Sequence, residues 1–440
     1  MSQLSKEELE ELEERDRISQ DVREARQRKD LLELVGELRK IPLYAQKLAA
    51  VSLPEEGSLH ELLNALPFTK QSDVEAGNTA LKQWGNPKFA RIHASSGSTG
   101  RPRLAGYSWN DLKIWSDLCA RSLLYGKVQP GWLVQISYGY GLFTGGLGIH
   151  YGAERLGCGV IPASTGSTLE QIRLLETLKP HVLACTPSYA QLLMDELGES
   201  SNARQSLRLL LLGAEPWTEE MRKELENMAP NATVLDIYGL SEVIGPGVAC
   251  ECDKHAGLHV FEDQFLIEVV DPNPNKENPA RVPPNHLGEL VITTLQKSAM
   301  PLLRYRTGDL TRVLDSRDIC QCGRTTVRIS KILGRTDSMV IVRGKNFYVN
   351  GIERVLSQIK ELSMYYEASV HRPGRLDELE LKVECQDPGR THYKTIEDRT
   401  REALRIEYEM NIEVTVYPPG TLPRSDGGKS QRVIDRRERP

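Results

Sequence analysis

The sequence predicts an α/β protein of two unequal parts, a large layered N-terminal domain and a smaller α+β domain at the C-terminus. Between about Phe89 and Leu310, short apolar runs (WLVQIS, CGVIPAS, HVLACT, LRLLLLG) alternate with polar segments of helical spacing such as LEQIRLLETLK and TEEMRKELENMA. Near Gly334 the composition shifts: a Gly/Arg/Asp turn precedes the strand-like SMVIVRG, and the chain ends in a Gly-rich, basic tail. At 440 residues, 39% hydrophobic and 27% charged, the chain can bury a large core, so disorder is not the default.

Taken in order, residues 5–49 are charged, carry a single glycine (Gly36) and space Leu31, Leu32, Leu34, Val35 and Leu38 as a helix would. The first thirty residues are expected to form a solvated helical extension. The expected divisions are an extension over 1–50, a large domain over 51–336 and a small one over 337–440. A net charge of −5 gives no diffuse attraction to nucleic acid or to an anionic membrane. No run approaches the roughly 20 apolar residues of a membrane helix, and MSQLSKEELEELEERD is too acidic for a signal peptide, so a cytoplasmic location is expected. The eight cysteines are scattered, and in a reducing compartment the pairs Cys250/Cys252 and Cys320/Cys322 suggest metal before disulfide.

The segment SSGSTGRPR, Ser95 to Arg103, holds two glycines, four hydroxyl side chains and two arginines in nine positions. Glycines let backbone approach phosphate oxygens, N–H groups and hydroxyls donate, and Arg101 adds charge. A surface turn has the same local composition. It is not a Walker motif, and the late GGKS is only half of one, because Pro423 stands where the first Gly should be. Further along come LLLGAEPW (Leu210 to Trp217), DIYGLSE (Asp236 to Glu242), YRTGDL (Tyr305 to Leu310), GRTDSM (Gly334 to Met339) and Lys429.

These segments, in this order, resemble the adenylate-forming superfamily of acyl-CoA synthetases, peptide-synthetase adenylation domains and luciferases. YGYGLFTGGLGIHYGAERLG (Tyr138 to Gly157), GAEPW, GLSEVIGPGVA, MPLLRYRT and LPRSDGGKSQRVIDRR look like its phenylacetate-CoA ligases, and the resemblance covers about residue 30 onward. It implies a large adenylate-forming domain and a small mobile one. It also implies a ligase that uses ATP, Mg²⁺ and coenzyme A to turn a small aromatic acid into its thioester through acyl-AMP. Carried over residue by residue, Ser96, Gly97, Ser98, Thr99 and Gly100 would hold the β- and γ-phosphates. Backbone at Gly213, Ala214, Glu215 and Pro216 would line an adenine slot, and Tyr238 would offer a stacking face. Glu242 would bind Mg²⁺, since a hard cation needs oxygen donors, and Asp309 would accept the ribose hydroxyls. Asp236, Gly239, Arg335 and Gly344 join this nucleotide and coenzyme group. The bland readings are a turn residue for Asp309, a dipole-compensating charge for Glu242 and a core ring for Tyr238.

Lys429 matches the lysine that reaches the substrate carboxylate, where a compact point charge offsets two anions brought together. The chain reads RSDGGK where the subgroup usually has RSEGK, one residue longer. Asp337 matches the hinge about which the small domain swings between half-reactions, although Ser338 stands where an acid often follows. Arg343, Gly344 and Lys345 would approach the pantetheine channel. The acid pocket would draw on Tyr138, Tyr140 and Phe143, glycines including Gly145, and Ala214, Ile237 and Pro246, which suits an aryl or arylacetyl group.

Cys252, His259, Cys320 and Cys322 together offer four ligands for tetrahedral Zn²⁺, with a structural role because no position is left open; Cys250 and His255 are the substitutes. Some members of the subgroup look similar here and others lack the cysteines. Two other readings stay open: an adenylating enzyme that passes its acyl group to a carrier-protein thiol or an amine, and a non-catalytic nucleotide-binding protein of the same fold. A homodimer is kept as an option for the assembly.

Overall fold

The computed structural model describes the whole chain apart from residues 1–2, 55, 75–83, 86–87, 96–102, 199–200, 274–275, 316–318, 337–339, 343–344, 348, 372–377, 388–392, 409, 423–432 and 437–440. It divides into two compact units, Met1–Glu215 with Lys223–Ile332, and Leu333–Pro440 with Pro216–Arg222.

In the first unit a hairpin, β1 (Arg91–Ser95) and β2 (Arg103–Tyr107), precedes the main sheet. The sheet is then built from β3 (Leu133–Ile136), β4 (Gly159–Ile161), β5 (Val182–Cys185), β6 (Leu209–Gly213), β7 (Thr233–Leu240), β8 (Ile244–Glu251) and β9 (Leu258–Val260). After these come β10 (Phe265–Val270), β11 (Gly288–Thr294) and β12 (Tyr305–Thr311), which pair antiparallel in that order, and β13 (Arg328–Ile329). The main sheet runs β13-β9-β8-β7-β6-β5-β3-β4. Strands β3 to β7 are parallel and β8, β9 and β13 antiparallel, as the alternation of apolar runs and helices requires. LLLLG in β6 is apolar throughout, as a strand buried on both faces requires, and every residue of β5 and β6 is buried.

Two helices shape the floor of the sheet's end. Helix Trp109–Tyr125 begins with a capping box, Ser108 and Asp111 each accepting from the other's backbone N–H. Helix Gly145–Leu156 packs on it so tightly that a Cβ at Gly152 would lie 2.4 Å from the Cys119 side chain. Gly148 does the same, since a Cβ there would lie 2.7 Å from the Trp115 side chain, so these two glycines permit the helix-on-helix contact.

The first thirty residues depart from the solvated extension that their charge suggested. Leu4 and Leu12 are buried, and Asp16, at 1% exposure, accepts from the Arg121 guanidinium and, at 2.7 Å, from Tyr125 Oη. Thr325 N donates to Asp16 O at 2.9 Å, and Arg23 Nη1 donates to Thr325 O at 2.9 Å. One amphipathic face and a buried ion pair make this segment part of the core, against which charge counting alone gives no warning. Burial works against the Arg121 charge, but Asp16 and Asp263 outweigh it and hold the guanidinium above its ordinary range.

The second unit carries β14 (Gly334–Arg335), β15 (Val340–Val342), β16 (Lys345–Phe347), β17 (Leu362–His371), β18 (Glu378–Cys385), β19 (Glu413–Tyr417) and β20 (Val433–Asp435). Its four-stranded sheet runs β19-β18-β17-β20, and helices Val349–Ser357 and Tyr393–Tyr408 close a separate core of residues such as Leu356, Ala368, Leu381, Leu404 and Val414.

Asp16→Ala leaves Arg121 buried beside only part of its countercharge. The expected loss is about 3 kcal/mol of unfolding free energy, the usual cost of breaking one side of a buried pair. Urea denaturation checks it; a change near zero would mean that residues 5–30 are held by something other than this network.

Candidate active site

In an open parallel sheet the ligand crevice lies beyond the strands' carboxyl ends, where the chain reverses its direction of sheet building. Here that place is the β3/β5 border, since β4 was added on one side of β3 and β5 on the other. Tyr138, just past β3, donates through Oη to Cys185 O at the end of β5, 2.6 Å away. Gly213 ends β6 opposite Ile237 of β7, and the next residue, Ala214, has φ of 72°, a left-handed conformation that costs a non-glycine residue about 1 kcal/mol or more.

Tyr238 and Asp309 meet, although 71 residues separate them: Tyr238 Oη donates to Asp309 Oδ2 at 2.6 Å. The TGD triplet is a bulge, because Glu289 of β11 faces Leu310 and Val291 faces Arg306, leaving Thr307 to Asp309 against Leu290 alone. Gly308 takes φ of 78° there, which explains the glycine, and the bulge re-aims Asp309. Arg304 forks onto Glu268 at 2.9 and 2.8 Å, and Arg306 reaches Glu289 at 2.5 Å. The two arginines of RYRTGD thus lock the strand that presents Asp309, a role that sequence reading had not given them.

Glu242 stands in the turn between β7 and β8, nearly buried, with Arg103 Nη1 at 3.5 Å from Oε1. The side chain of Glu215 instead accepts from Ser188 Oγ at 2.6 Å, at the start of helix Pro187–Leu197, so its contribution to a slot would be through backbone. Asp236 is buried in β7 and its N–H donates to Glu251 Oε2 at 2.8 Å. Gly239 lies near the end of β7, three residues before Glu242, Pro216 follows Glu215, and Arg335 is half-buried in β14 of the second unit. Lys297 lies under the Glu242 turn; burial pulls its ammonium down to about 8 against the opposing pull of Asp111 and Glu242.

Of the expected acid-pocket residues, Tyr138 and Ile237 are buried, Pro246 is half-buried, and Phe143 is 36% exposed with its ring over Gly145. His93 was missed. It lies two residues before the hydroxyl-rich loop begins, buried edge-on to Tyr107 and Trp115. Its Nδ1–H donates to Leu142 O at 3.0 Å, and its Nε2 has no partner among the described residues. Burial first, and then Arg91, lowers its pKa, so the ring is neutral and Nε2 is an acceptor.

The tetrad converges. Ligand atoms of Cys252, His259, Cys320 and Cys322 lie within 4.8 Å of one another. Cys252 Sγ is 3.7 Å from Cys320 Sγ, and Cys322 Sγ is 3.4 Å from His259 Nε2. Tetrahedral zinc, with Zn–S of about 2.3 Å and Zn–N of about 2.0 Å, needs separations of about 3.8 and 3.5 Å. His259 Nδ1 meets Thr326 Oγ1 at 3.0 Å, leaving Nε2 free to ligate. The hydrogen bond from Cys252, ahead of His259, lowers the Cys322 thiol, while Cys252 is raised by the same bond. The substitute ligands fall away: Cys250 points its thiol to Ser122 O, and His255 faces Glu226.

Ser96, Gly97, Ser98, Thr99, Gly100, Asp337, Gly344 and Lys429 lie outside the described residues.

The AMP-binding enzyme family matches residues 25–298, and the AMP-binding enzyme C-terminal domain matches residues 344–437. The chain is 43% identical over 423 residues to the phenylacetate-coenzyme A ligase of Thermus thermophilus, covering 91% of this chain and 93% of that one. It is 40% identical over 410 residues to that of Escherichia coli K12, covering 90% and 91%. A crystal structure of 2-hydroxyisobutyryl-CoA ligase in the postadenylation state aligns with a TM-score of 0.85 at 26% identity, over 96% of this chain and 91% of that one.

The donor set predicts about one zinc per chain by elemental analysis of protein purified without chelator. Cys322→Ser should lose most of that metal and lower the melting temperature while the adenylating half of any activity survives; metal-free wild type would remove the site.

Proposed function

The chain belongs to the AMP-binding enzyme family, and on that premise we propose that it is an AMP-forming acid–thiol ligase of the phenylacetate-coenzyme A ligase kind. It adenylates a small aryl or arylacetic acid with ATP and transfers the acyl group to coenzyme A. The likeness to phenylacetate-coenzyme A ligases across nine-tenths of both chains is the observation that carries this reading.

The chemistry has two balanced steps. A carboxylate oxygen attacks the α-phosphorus of ATP, a P–O bond forms, the Pα–O–Pβ bond breaks and pyrophosphate leaves. The thiolate of coenzyme A then attacks the acyl carbon, a C–S bond forms, and AMP leaves with the former carboxylate oxygen. The first step brings anions together, so the protein must supply fixed donors and cations. Ser96, Gly97, Ser98, Thr99 and Gly100 would donate to the β- and γ-phosphates. Asp309, held by Tyr238, would accept from the ribose, and the strained backbone at Ala214 would edge the adenine. The carboxylate of Glu242 suits Mg²⁺, which takes one or two protein oxygens and completes its shell with phosphate and water; bound there it would neutralise phosphate charge. Phe143, Gly145, Ile237 and Pro246 would shape an apolar chamber for the aromatic ring.

Lys429 would hold the carboxylate against the α-phosphate, and Asp337 would be the residue about which the second unit turns between the steps, with Arg335 and Gly344 near the nucleotide and coenzyme. The tetrad would hold Zn²⁺ as a structural ion, since all four of its positions are filled by protein.

A panel of aryl acids assayed for AMP release with and without coenzyme A tests the reading: release should need both an aromatic acid and the thiol. Lys429→Ala should cut acid-dependent pyrophosphate exchange about 10²-fold or more, yet leave thioester formation from supplied acyl-AMP nearly unchanged. Equal loss of both would refute the step given to this lysine.

A further inference from the structure

The turn that carries Glu242 and the start of β8 just after it are held by three side chains that donate to their carbonyls. Tyr107 Oη donates to Ser241 O at 2.7 Å, Lys297 Nζ donates to Glu242 O at 2.7 Å, and Trp115 Nε1 donates to Pro246 O at 2.8 Å. Tyr107 and Trp115 are stacked, with centroids 5.1 Å apart and an angle of 19°, and the Lys297 ammonium sits 4.8 Å from the Tyr107 centroid. Tyr107 ends β2, the strand that leads out of the hydroxyl-rich loop, while Arg103 at the other end of that strand faces the Glu242 carboxylate. Lys297 is itself held in place: the Asp111 carboxylate accepts from the Ser298 and Ala299 N–H groups at 2.7 and 3.0 Å.

A lysine 96% removed from solvent is expensive to bury and needs a reason to be there. Here it donates to the carbonyl of the one residue whose carboxylate is wanted for the cation, and so fixes the peptide from which that side chain projects. We propose that Lys297 is a positioning residue for the adenylation half-reaction, acting through the Glu242 main chain to set the carboxylate for the Mg²⁺-bound triphosphate. The proposal rests on the ligase reading and on Glu242 as the cation's ligand. A methionine at 297 would keep the packing and lose the donor, letting the turn relax without unfolding the domain.

The experiment compares wild type, Lys297→Met, Lys297→Arg and Tyr107→Phe in three measurements. Calorimetric titration with Mg·ATP should show affinity lower by about tenfold in Lys297→Met, the scale on which outer partners of a metal ligand act. Acid-dependent pyrophosphate exchange should fall by a similar factor or more in kcat, with KM for the acid little changed. Thioester formation from supplied acyl-AMP should stay within about threefold of wild type, because that step does not call on the cation. Lys297→Arg, which restores a donor, should recover part of the exchange. Equal loss in both half-reactions, or unchanged Mg·ATP binding with unchanged exchange, would overturn the proposal. Should Lys297→Met fail to fold, Tyr107→Phe decides, since it removes only the hydroxyl bound to Ser241 O: a smaller loss confined to exchange supports the positioning role, and no loss refutes it. If wild type shows no acid-dependent exchange at all, the ligase reading fails, while the calorimetric comparison still answers for Lys297.

Discussion

Across the gap between two sheets, Tyr238 on β7 donates a 2.6 Å hydrogen bond to the Asp309 carboxylate on β12. The site's geometry depends on that joint, because a crevice assembled from two sheets is only as fixed as their relation to each other. The neighbouring residues tighten it. Glu289 accepts from both Arg306 and the N–H of Gly308, and Thr307 Oγ1 donates to Leu290 O at 2.8 Å, so the bulge in β12 cannot slide along β11. Buried ion pairs such as Arg304–Glu268 and Arg306–Glu289 contribute little net stability compared with apolar packing. Their forked geometry instead fixes a strand in one register, which is what a carboxylate aimed at a ligand requires.

The same logic runs through the floor below Glu242. Lys297, Asp111 and Arg103 are all nearly sealed from water, and each burial costs free energy that a hydrophobic replacement would not. A domain of this size has apolar core to spare for that cost. Polar groups collect where two strands and a turn must keep fixed positions, around β2, β7 and the Glu242 turn, and they are sparse in β5 and β6, where only packing is needed.

Much of this could be read beforehand from the chain. LRLLLLG announces a strand buried on both faces, the alternation with helices announces parallel pairing, and the ordered motifs pick out Tyr238, Glu242 and Asp309. What escaped the sequence are contacts between residues that local periodicity cannot relate. Asp16 and Arg121 are 105 residues apart, and nothing in LEERDRIS marks its aspartate as buried. His93 and Lys297 read as ordinary polar residues beside stronger motifs, and only the packing around them shows that water is excluded. For the cysteines, the sequence offered Cys252, His259, Cys320 and Cys322 with Cys250 and His255 as substitutes, and the fold brings the first set together: Cys250 lies in β8 with its thiol on Ser122 O, whereas Cys252 lies past the strand's end facing Cys320. Gly148 and Gly152 serve a close helix contact, a demand for a missing side chain that the sequence does not distinguish from that of an open pocket.

The tetrad and the N-terminal segment then turn out to be one problem. Residues 320–327 supply two of the four ligands on one side, and on the other they receive Arg17 at Cys322 O, Asp16 O at Thr325 N and Arg23 at Thr325 O. A shelf of irregular chain has little order of its own, so it needs an anchor before anything can dock on it. An ion joining Cys252 to Cys320, 68 residues apart, would restrict the unfolded chain as a covalent cross-link does, by about 4 kcal/mol in the chain-entropy account. Part of that stabilisation would be passed to residues 14–27, whose backbone and arginines bind only the ordered form of the shelf. With zinc bound, the helical start of the chain would in this sense be folded by a site more than two hundred residues away in sequence, through bonds that an isolated N-terminal peptide could not make.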